Sequence, residues 1–334
     1  MTAHGTIENA VDVMRNGAAD YLVKPFEVEE LKSVVGKYMK TQNAMGSPVA
    51  VDSRTIELLK VAERVATTEV TVTINGPSGC GKEVFARYIH QQSNRSDKPF
   101  VAINCAAIPE SMLEAVLFGY EKGAFTGATG AHAGKFEQAT GGTLLLDEIS
   151  EMDLGLQAKL LRVIQEKSIR PVGAAEETAI DVRIISASHK DLAQMVEQGQ
   201  FRQDLYYRIN VIGIQVPSLK QRSEDIELLT QHILKKLQAE NHHGYSIDRD
   251  ALAALQHYEF PGNVRELENV LERALTMADS GRIEADDIEL RGGPAKSAAT
   301  GTVLSAMKVA AVTANAMPLR RTNAVSAIAT MTTP

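Results

Sequence analysis

Val72-Thr73-Ile74-Asn75-Gly76-Pro77-Ser78-Gly79-Cys80-Gly81-Lys82 runs from an apolar strand pattern into a turn of the form G-x-x-x-x-G-K, and residues 83–91 continue as a helical pattern. A strand before and a helix after distinguish a phosphate loop from an ordinary glycine-rich turn. The glycines let backbone N–H groups turn inward around phosphate oxygens, and the helix N-terminus adds positive potential. Lys82 is expected to reach the β- and γ-phosphates of a nucleotide. Glu83 stands where the general pattern has a magnesium-binding Ser or Thr, so the metal ligand is expected elsewhere.

Further along, Gly141-Gly142-Thr143-Leu144-Leu145-Leu146-Asp147-Glu148 delivers two acids at the end of an apolar run. Open α/β sheets bind ligands at the carboxyl ends of their strands. Asp147 is expected to hold magnesium, directly or through water, and Glu148 to orient the attacking water. Alone, such a pair is more often a helix cap; after a phosphate loop in the same alternating domain it points to nucleotide chemistry. Apolar runs at 70–75, 100–104, 143–146, 182–187 and 211–216 alternate with helical patterns between 54 and 217. That alternation predicts a parallel sheet covered on both faces. Residues 218–292 read as helical only, with one break at Pro261-Gly262. The expected fold is therefore α/β, a three-layer P-loop domain followed by an α-helical lid.

Three further blocks carry a family resemblance. Gly123-Ala124-Phe125-Thr126-Gly127-Ala128 follows Leu117-Phe118-Gly119-Tyr120-Glu121-Lys122. Phe201-Arg202-Gln203-Asp204-Leu205-Tyr206-Tyr207-Arg208 and Phe260-Pro261-Gly262-Asn263-Val264-Arg265-Glu266 lie downstream. Over residues 46–290 the chain resembles the sigma-54-dependent transcriptional activators of bacteria, the NtrC-like AAA+ enhancer-binding proteins. That family also places Glu after the loop lysine, which accounts for Glu83. Pro77 and Cys80 depart from its commonest loop, which has Glu and Thr there.

The resemblance implies a role for each matching residue. Asn104 would hold the water-activating glutamate in check. Ser188 and His189 would sense the γ-phosphate, and Arg265 would be the second sensor in the lid. Arg202 and Arg208 would reach into a neighbour's nucleotide site. It further implies ATP and Mg2+, a hexameric ring, a cytoplasmic location, and contact between the 123–128 loop and sigma-54 RNA polymerase holoenzyme. The loop's own chemistry agrees. Its glycines give mobility, and Phe125 is a lone large apolar group that either folds into the core or meets a partner.

Residues 1–40 pattern as helix, strand and helix, and Gly17-Ala18-Ala19-Asp20-Tyr21-Leu22-Val23-Lys24-Pro25-Phe26 is similar to the last third of a two-component receiver. Thr2 and Lys24 match the receiver's switch threonine and lysine. The acidic pocket is not among these residues, so phosphorylation control is not expected of this polypeptide. Residues 41–53 read as a linker. Residues 293–334 hold Lys296, Lys308, Arg320 and Arg321 and no acid, and read as a disordered tail without a helix-turn-helix. Sequence-specific DNA binding is therefore not expected.

Composition sets outer limits. The chain has 334 residues, 44% of them hydrophobic, and a net charge of −7, which disfavours a general nucleic-acid binder. Cys80 and Cys105 are its two cysteines, too few for a disulfide framework or a zinc site. No signal-peptide pattern and no run of about 18 apolar residues is present. Two alternatives to an ATPase activator stand beside it. One is a non-catalytic, truncated interaction protein that binds sigma factor or co-assembles with full-length activators. A small-molecule kinase would leave the three family blocks unexplained.

Overall fold

A computed structural model describes residues 48–125, 128–241, 245–278 and 281–290. The receiver-like stretch 1–40, residues 41–47 of the expected linker, Thr126, Gly127 and the tail 293–334 lie outside the described residues. In chain order the strands of the α/β part are β1 (Val72–Asn75), β2 (Phe100–Asn104), β3 (Gly119–Tyr120), β4 (His132–Ala133), β5 (Thr143–Asp147), β6 (Ser168–Ile169), β7 (Thr178–Ala179), β8 (Arg183–Ser188) and β9 (Ile212–Gln215). Five of them form one parallel sheet in the order β2-β5-β8-β1-β9. These five are the apolar runs read from the sequence, with their ends shifted by one or two residues.

β5 explains why the runs are continuous rather than alternating. Leu144 and Leu146 pack into one core cluster with the helix Leu154–Glu166. Leu145 faces the other cluster, with the helices Ser53–Ala66 and Lys82–Gln91. All three leucines are fully buried, and burying each contributes about 1.5–3 kcal/mol. Between Thr143, whose hydroxyl pairs with His90 Nδ1 at 2.9 Å, and Asp147 at its end, this strand is covered on both faces and carries only apolar side chains. Three layers follow directly.

The helix Ser53–Ala66 begins at an Asp52 cap, whose side chain accepts from Arg54 N–H at 2.9 Å. Residues 51–53 therefore already belong to the domain, a correction to their reading as linker. Two antiparallel hairpins, β3–β4 and β6–β7, project as insertions. The lid follows a 3-10 turn, Leu219–Arg222, and contains the helices Asp225–Asn241, Arg249–His257 and Asn263–Met277. It is not purely helical as expected: β10 (Ser246–Ile247) and β11 (Arg282–Ile283) pair in parallel. Each strand is only two residues long, too short for a period to show in the sequence. Among the described residues no helix is long and apolar enough to cross a membrane.

Candidate functional site

Sheet register brings the motifs to one edge. β2 and β5 pair Asn104 with Asp147, and β8 and β1 pair Ser188 with Asn75, at the carboxyl ends of all four strands. The phosphate loop starts there. Gly76 N–H donates to the Ser188 carbonyl at 3.2 Å, and a Cβ on Gly76 would come within 2.7 Å of the Val216 carbonyl oxygen. Gly81 has φ 98 with open space around it, so its requirement is conformational. Lys82 is buried at the start of its helix, and Nζ donates to the carbonyls of Gly76 (3.0 Å) and Pro77 (3.4 Å). Its ammonium thus lies across the loop, beside the positive helix end. Cys80 is buried, which holds its thiol above the ordinary range and makes it a packing residue. Glu83 pairs with Arg87 at 2.7 Å, one turn along the same helix.

Glu148 sits at φ 53, a left-handed conformation that costs a non-glycine residue about 1–3 kcal/mol. The turn brings its carboxylate back over the strand ends. Oε1 lies 3.7 Å from Lys82 Nζ. Oε2 bonds His189 Nδ1 and also accepts from His189 N–H at 3.3 Å. Asp147 Oδ1 accepts from Glu148 N–H at 3.0 Å. Burial, then the Glu148 charge, push the Asp147 carboxyl above its usual range, while Lys82 pulls it down. A cation beside Asp147 would relieve both. Among the described residues no group of three or more His, Cys, Asp or Glu side chains gathers as a cage. One hard carboxylate next to a phosphate loop is a donor set that fits magnesium, which keeps waters and takes phosphate oxygens.

Asn104 Oδ1 accepts from Ala106 N–H at 2.9 Å and caps the short turn Cys105–Ala107, and no hydrogen bond joins its side chain to Glu148 among the described residues. Asn side chains at strand ends readily serve the local backbone this way. His189 makes the contact to Glu148 instead. Ser188 Oγ donates to the Lys190 carbonyl at 2.8 Å, within its own turn.

The remaining residues fall into three places. Arg265, in the lid helix, reaches the loop, with Nη1 3.3 Å from Ser78 Oγ. Arg202 is engaged by Asp204 through Nη2–Oδ2 at 2.7 Å and Nε–Oδ1 at 3.1 Å. Arg208 is exposed on the helix Gln203–Ile209, and its carbonyl accepts from Thr71 Oγ1 at 2.8 Å. Thr71 precedes β1 and the phosphate loop follows it, so the backbone of Arg208 is at the far end of that strand. On the insertion, Gly123 N–H donates to the Ala128 carbonyl (2.9 Å) and Ala128 N–H to that of Phe125 (3.0 Å). The Phe125 ring is 47% exposed and stands 4.9 Å from the Tyr120 ring. The β6–β7 insertion braces this loop: a Cβ on Gly173 would lie 3.0 Å from Ala124 Cβ.

Family comparison agrees with this geometry. The model for the Sigma-54 interaction domain matches residues 49–215, and that for the AAA+ ATPase lid domain matches 220–301. This chain belongs to the sigma-54 activator family. It is 50% identical over 292 residues to the response regulator protein FleR of Pseudomonas aeruginosa, covering 86% of this chain and 62% of FleR. It is 44% identical over 307 residues to PilR of the same organism, covering 89% and 68%. It is 43% identical over 305 residues to the regulatory protein AtoC of Escherichia coli, covering 86% and 66%. The chain thus spans about two thirds of the length of these curated relatives. A crystal structure of NtrX from Brucella abortus in complex with ATP is similar at 34% identity and a TM-score of 0.69, over 91% of this chain and 70% of that one.

Within this activator-family chain, two residues at the loop went unread in the sequence. Arg222 donates to the Cys80 carbonyl at 2.5 Å, and Asn263 to the Ser78 carbonyl at 2.9 Å. Arg222 looks like one more charge in Lys220-Gln221-Arg222, and only its 3% exposure sets it apart. Asn263 had a signal, since it stands inside the Phe260–Glu266 block quoted for Arg265.

Proposed function

We propose that this chain hydrolyses ATP with magnesium in a ring of its own copies, and uses the energy to act on sigma-54 RNA polymerase through the loop bearing Phe125. The observation that carries the reading is the convergence of Lys82, Asp147, Glu148 and His189 on one glycine loop at the carboxyl edge of the sheet. Phosphoryl transfer asks a protein mainly for positioning and charge stabilisation. Lys82 places one positive charge against the β- and γ-phosphates. Asp147 would hold magnesium, which supplies further neutralisation of phosphate charge. Glu148, oriented by His189, aims the attacking water and takes its proton. Arg265 of the lid senses the bound phosphates beside Ser78. The ATP complex of NtrX supports the nucleotide, and the family's name supports the sigma-54 partner.

Hydrolysis by the purified chain is the test. Lys82→Ala should lose both ATP binding and turnover. Glu148→Gln should bind ATP and turn it over roughly 10²–10⁴-fold more slowly, the size of a general-base contribution. Wild-type turnover by Glu148→Gln would remove the water-activating role. A wild-type chain that binds ATP without hydrolysing it would favour the non-catalytic reading, a sigma-factor binder or a partner for full-length activators.

A further inference from the structure

Three successive carbonyls of the phosphate loop are held from outside it. Asn263 Nδ2 donates to the Ser78 carbonyl at 2.9 Å. Val264 N–H donates to the Gly79 carbonyl at 3.0 Å, and Arg265 N–H adds a longer contact at 3.4 Å. Arg222 Nη2 donates to the Cys80 carbonyl at 2.5 Å. Every donor belongs to the 3-10 turn Leu219–Arg222 or the lid helix Asn263–Met277. In a trans peptide the carbonyl and the next N–H point to opposite sides. Holding these carbonyls outward therefore turns the N–H groups of Gly79, Cys80 and Gly81 inward. Cys80 N–H closes on the Pro77 carbonyl at 3.3 Å. Those of Gly79 and Gly81 carry no hydrogen bond among the described residues and are left for a phosphate.

Both side chains are anchored at a second point. Asn263, 2% exposed and at φ 55, accepts from Leu219 N–H through Oδ1 at 2.8 Å. Arg222 Nη1 lies 3.8 Å from Asp225 Oδ2, and Asp225 is fully buried. Asp225 also accepts from Val51 N–H (2.6 Å), Asp52 N–H (2.8 Å) and the Thr55 hydroxyl (2.6 Å). A buried guanidinium is costly to desolvate, and this one serves a loop carbonyl at one end and the start of the domain at the other.

We infer that Arg222 and Asn263 are positioning residues of the nucleotide site, holding the loop's carbonyls outward so that the N–H groups of Gly79 and Gly81 meet the polyphosphate. The inference rests on the phosphate-loop reading proposed above. It also ties the loop's geometry to the lid and, through Asp225, to residues 51–55.

The test compares nucleotide affinity with stability, using a fluorescent ADP analogue and thermal melts on the full chain. Asn263→Asp keeps the acceptor for Leu219 N–H and tolerates the left-handed backbone, but loses the donor to Ser78. Arg222→Met keeps the length and loses the donors, while Asp225 retains its three others. The control is Arg183→Met. Arg183 is 2% exposed and donates to the carbonyls of Ala66 and Val65, both at 2.9 Å, at the end of the helix Ser53–Ala66. Arg222→Met should weaken the analogue roughly tenfold to a hundredfold, the range for a charge-assisted hydrogen bond. Asn263→Asp should weaken it about tenfold, and Arg222→Lys should recover part of the loss. KM for ATP should rise by a larger factor than kcat falls. Arg183→Met should lower Tm and leave affinity alone. If Arg222→Met and Asn263→Asp melt early but bind within about twofold of wild type, the inference is wrong. If Lys82→Ala abolishes binding in that same experiment, the phosphate-loop reading survives without it. A wild-type chain with no affinity for the analogue removes both.

Discussion

Tyr88 gives a sharp test of one residue's setting. Its hydroxyl donates to Glu63 Oε1 at 2.6 Å. Burial, and then that hydrogen bond, push its pKa up to about 12. An unfolded tyrosine titrates near 10. The folded value is the higher one, so the protonated hydroxyl stabilises the fold fully below about pH 10. That contribution is lost as pH rises toward about 12. Tyr88→Phe should therefore be less stable than wild type near neutrality, with a Tm gap that closes as the solution becomes alkaline. A gap that stays constant through that window would show that Tyr88 does not titrate with folding. Individual roles were readable in the sequence where chemistry dictates a local pattern. Lys82, Asp147 and Glu148 each follow an apolar strand in a fixed motif. The partner of Glu148 was not readable, because Asn104 ends β2 and His189 directly follows β8, the two strands that flank β5, and only side-chain packing chooses between them. Arg222 was hidden for the same reason, since a buried and a solvated arginine look alike in a sequence.

Among the elements, legibility followed length and burial. The three central strands β1, β5 and β8 stand out because both faces are covered, so buried, mostly apolar residues follow one another, while β2 and β9 at the edges keep exposed positions and rest on shorter apolar patterns. β3, β4, β6 and β7 are two residues each and leave no pattern, yet they hold the loop that the family resemblance singled out. There Phe125 stands against Tyr120, and Tyr120 stacks on His132 at 5.6 Å between ring centroids. The aromatic stack fixes the base of the loop while leaving nearly half of Phe125 in water. Truncating that ring removes the exposed apolar surface through which the proposed function acts and touches none of the nucleotide residues. Phe125→Ala is expected to keep the chain's own ATPase rate within about threefold of wild type, as for surface changes away from core features. Open-complex formation at a sigma-54 promoter, followed by permanganate footprinting, should be lost. Intact activation by Phe125→Ala would show that the partner is met elsewhere.

For the whole molecule, the two arginines assigned to a neighbour's site stand in different states. Arg202 is bound to Asp204 and stands at the N-cap position of the helix Gln203–Ile209, with no side-chain bond to the helix backbone. Arg208 is exposed, and its backbone is fastened before the first residue of β1. The phosphate loop leaves the last residue of that strand, and strand residues advance about 3.3 Å each. A loop at one end of β1 and an arginine rooted at the other are set apart within one chain, as the proposed ring requires. An arginine finger is worth roughly 10³–10⁵ in rate, so a lone subunit should be nearly inactive. Specific ATPase activity should then rise steeply with protein concentration, in step with assembly seen by ultracentrifugation. Arg208→Ala should lose most activity at every concentration, and Arg202→Ala less, because Arg202 must first leave Asp204. Mixing inactive Lys82→Ala with inactive Arg208→Ala should restore part of the rate, since some interfaces then join an intact loop to an intact arginine. A cooperative ring would mute that rescue without altering the concentration dependence, which makes the latter the decisive measurement. Full turnover by a species sedimenting as a monomer would place the missing positive charge within the same chain and remove the ring from the mechanism.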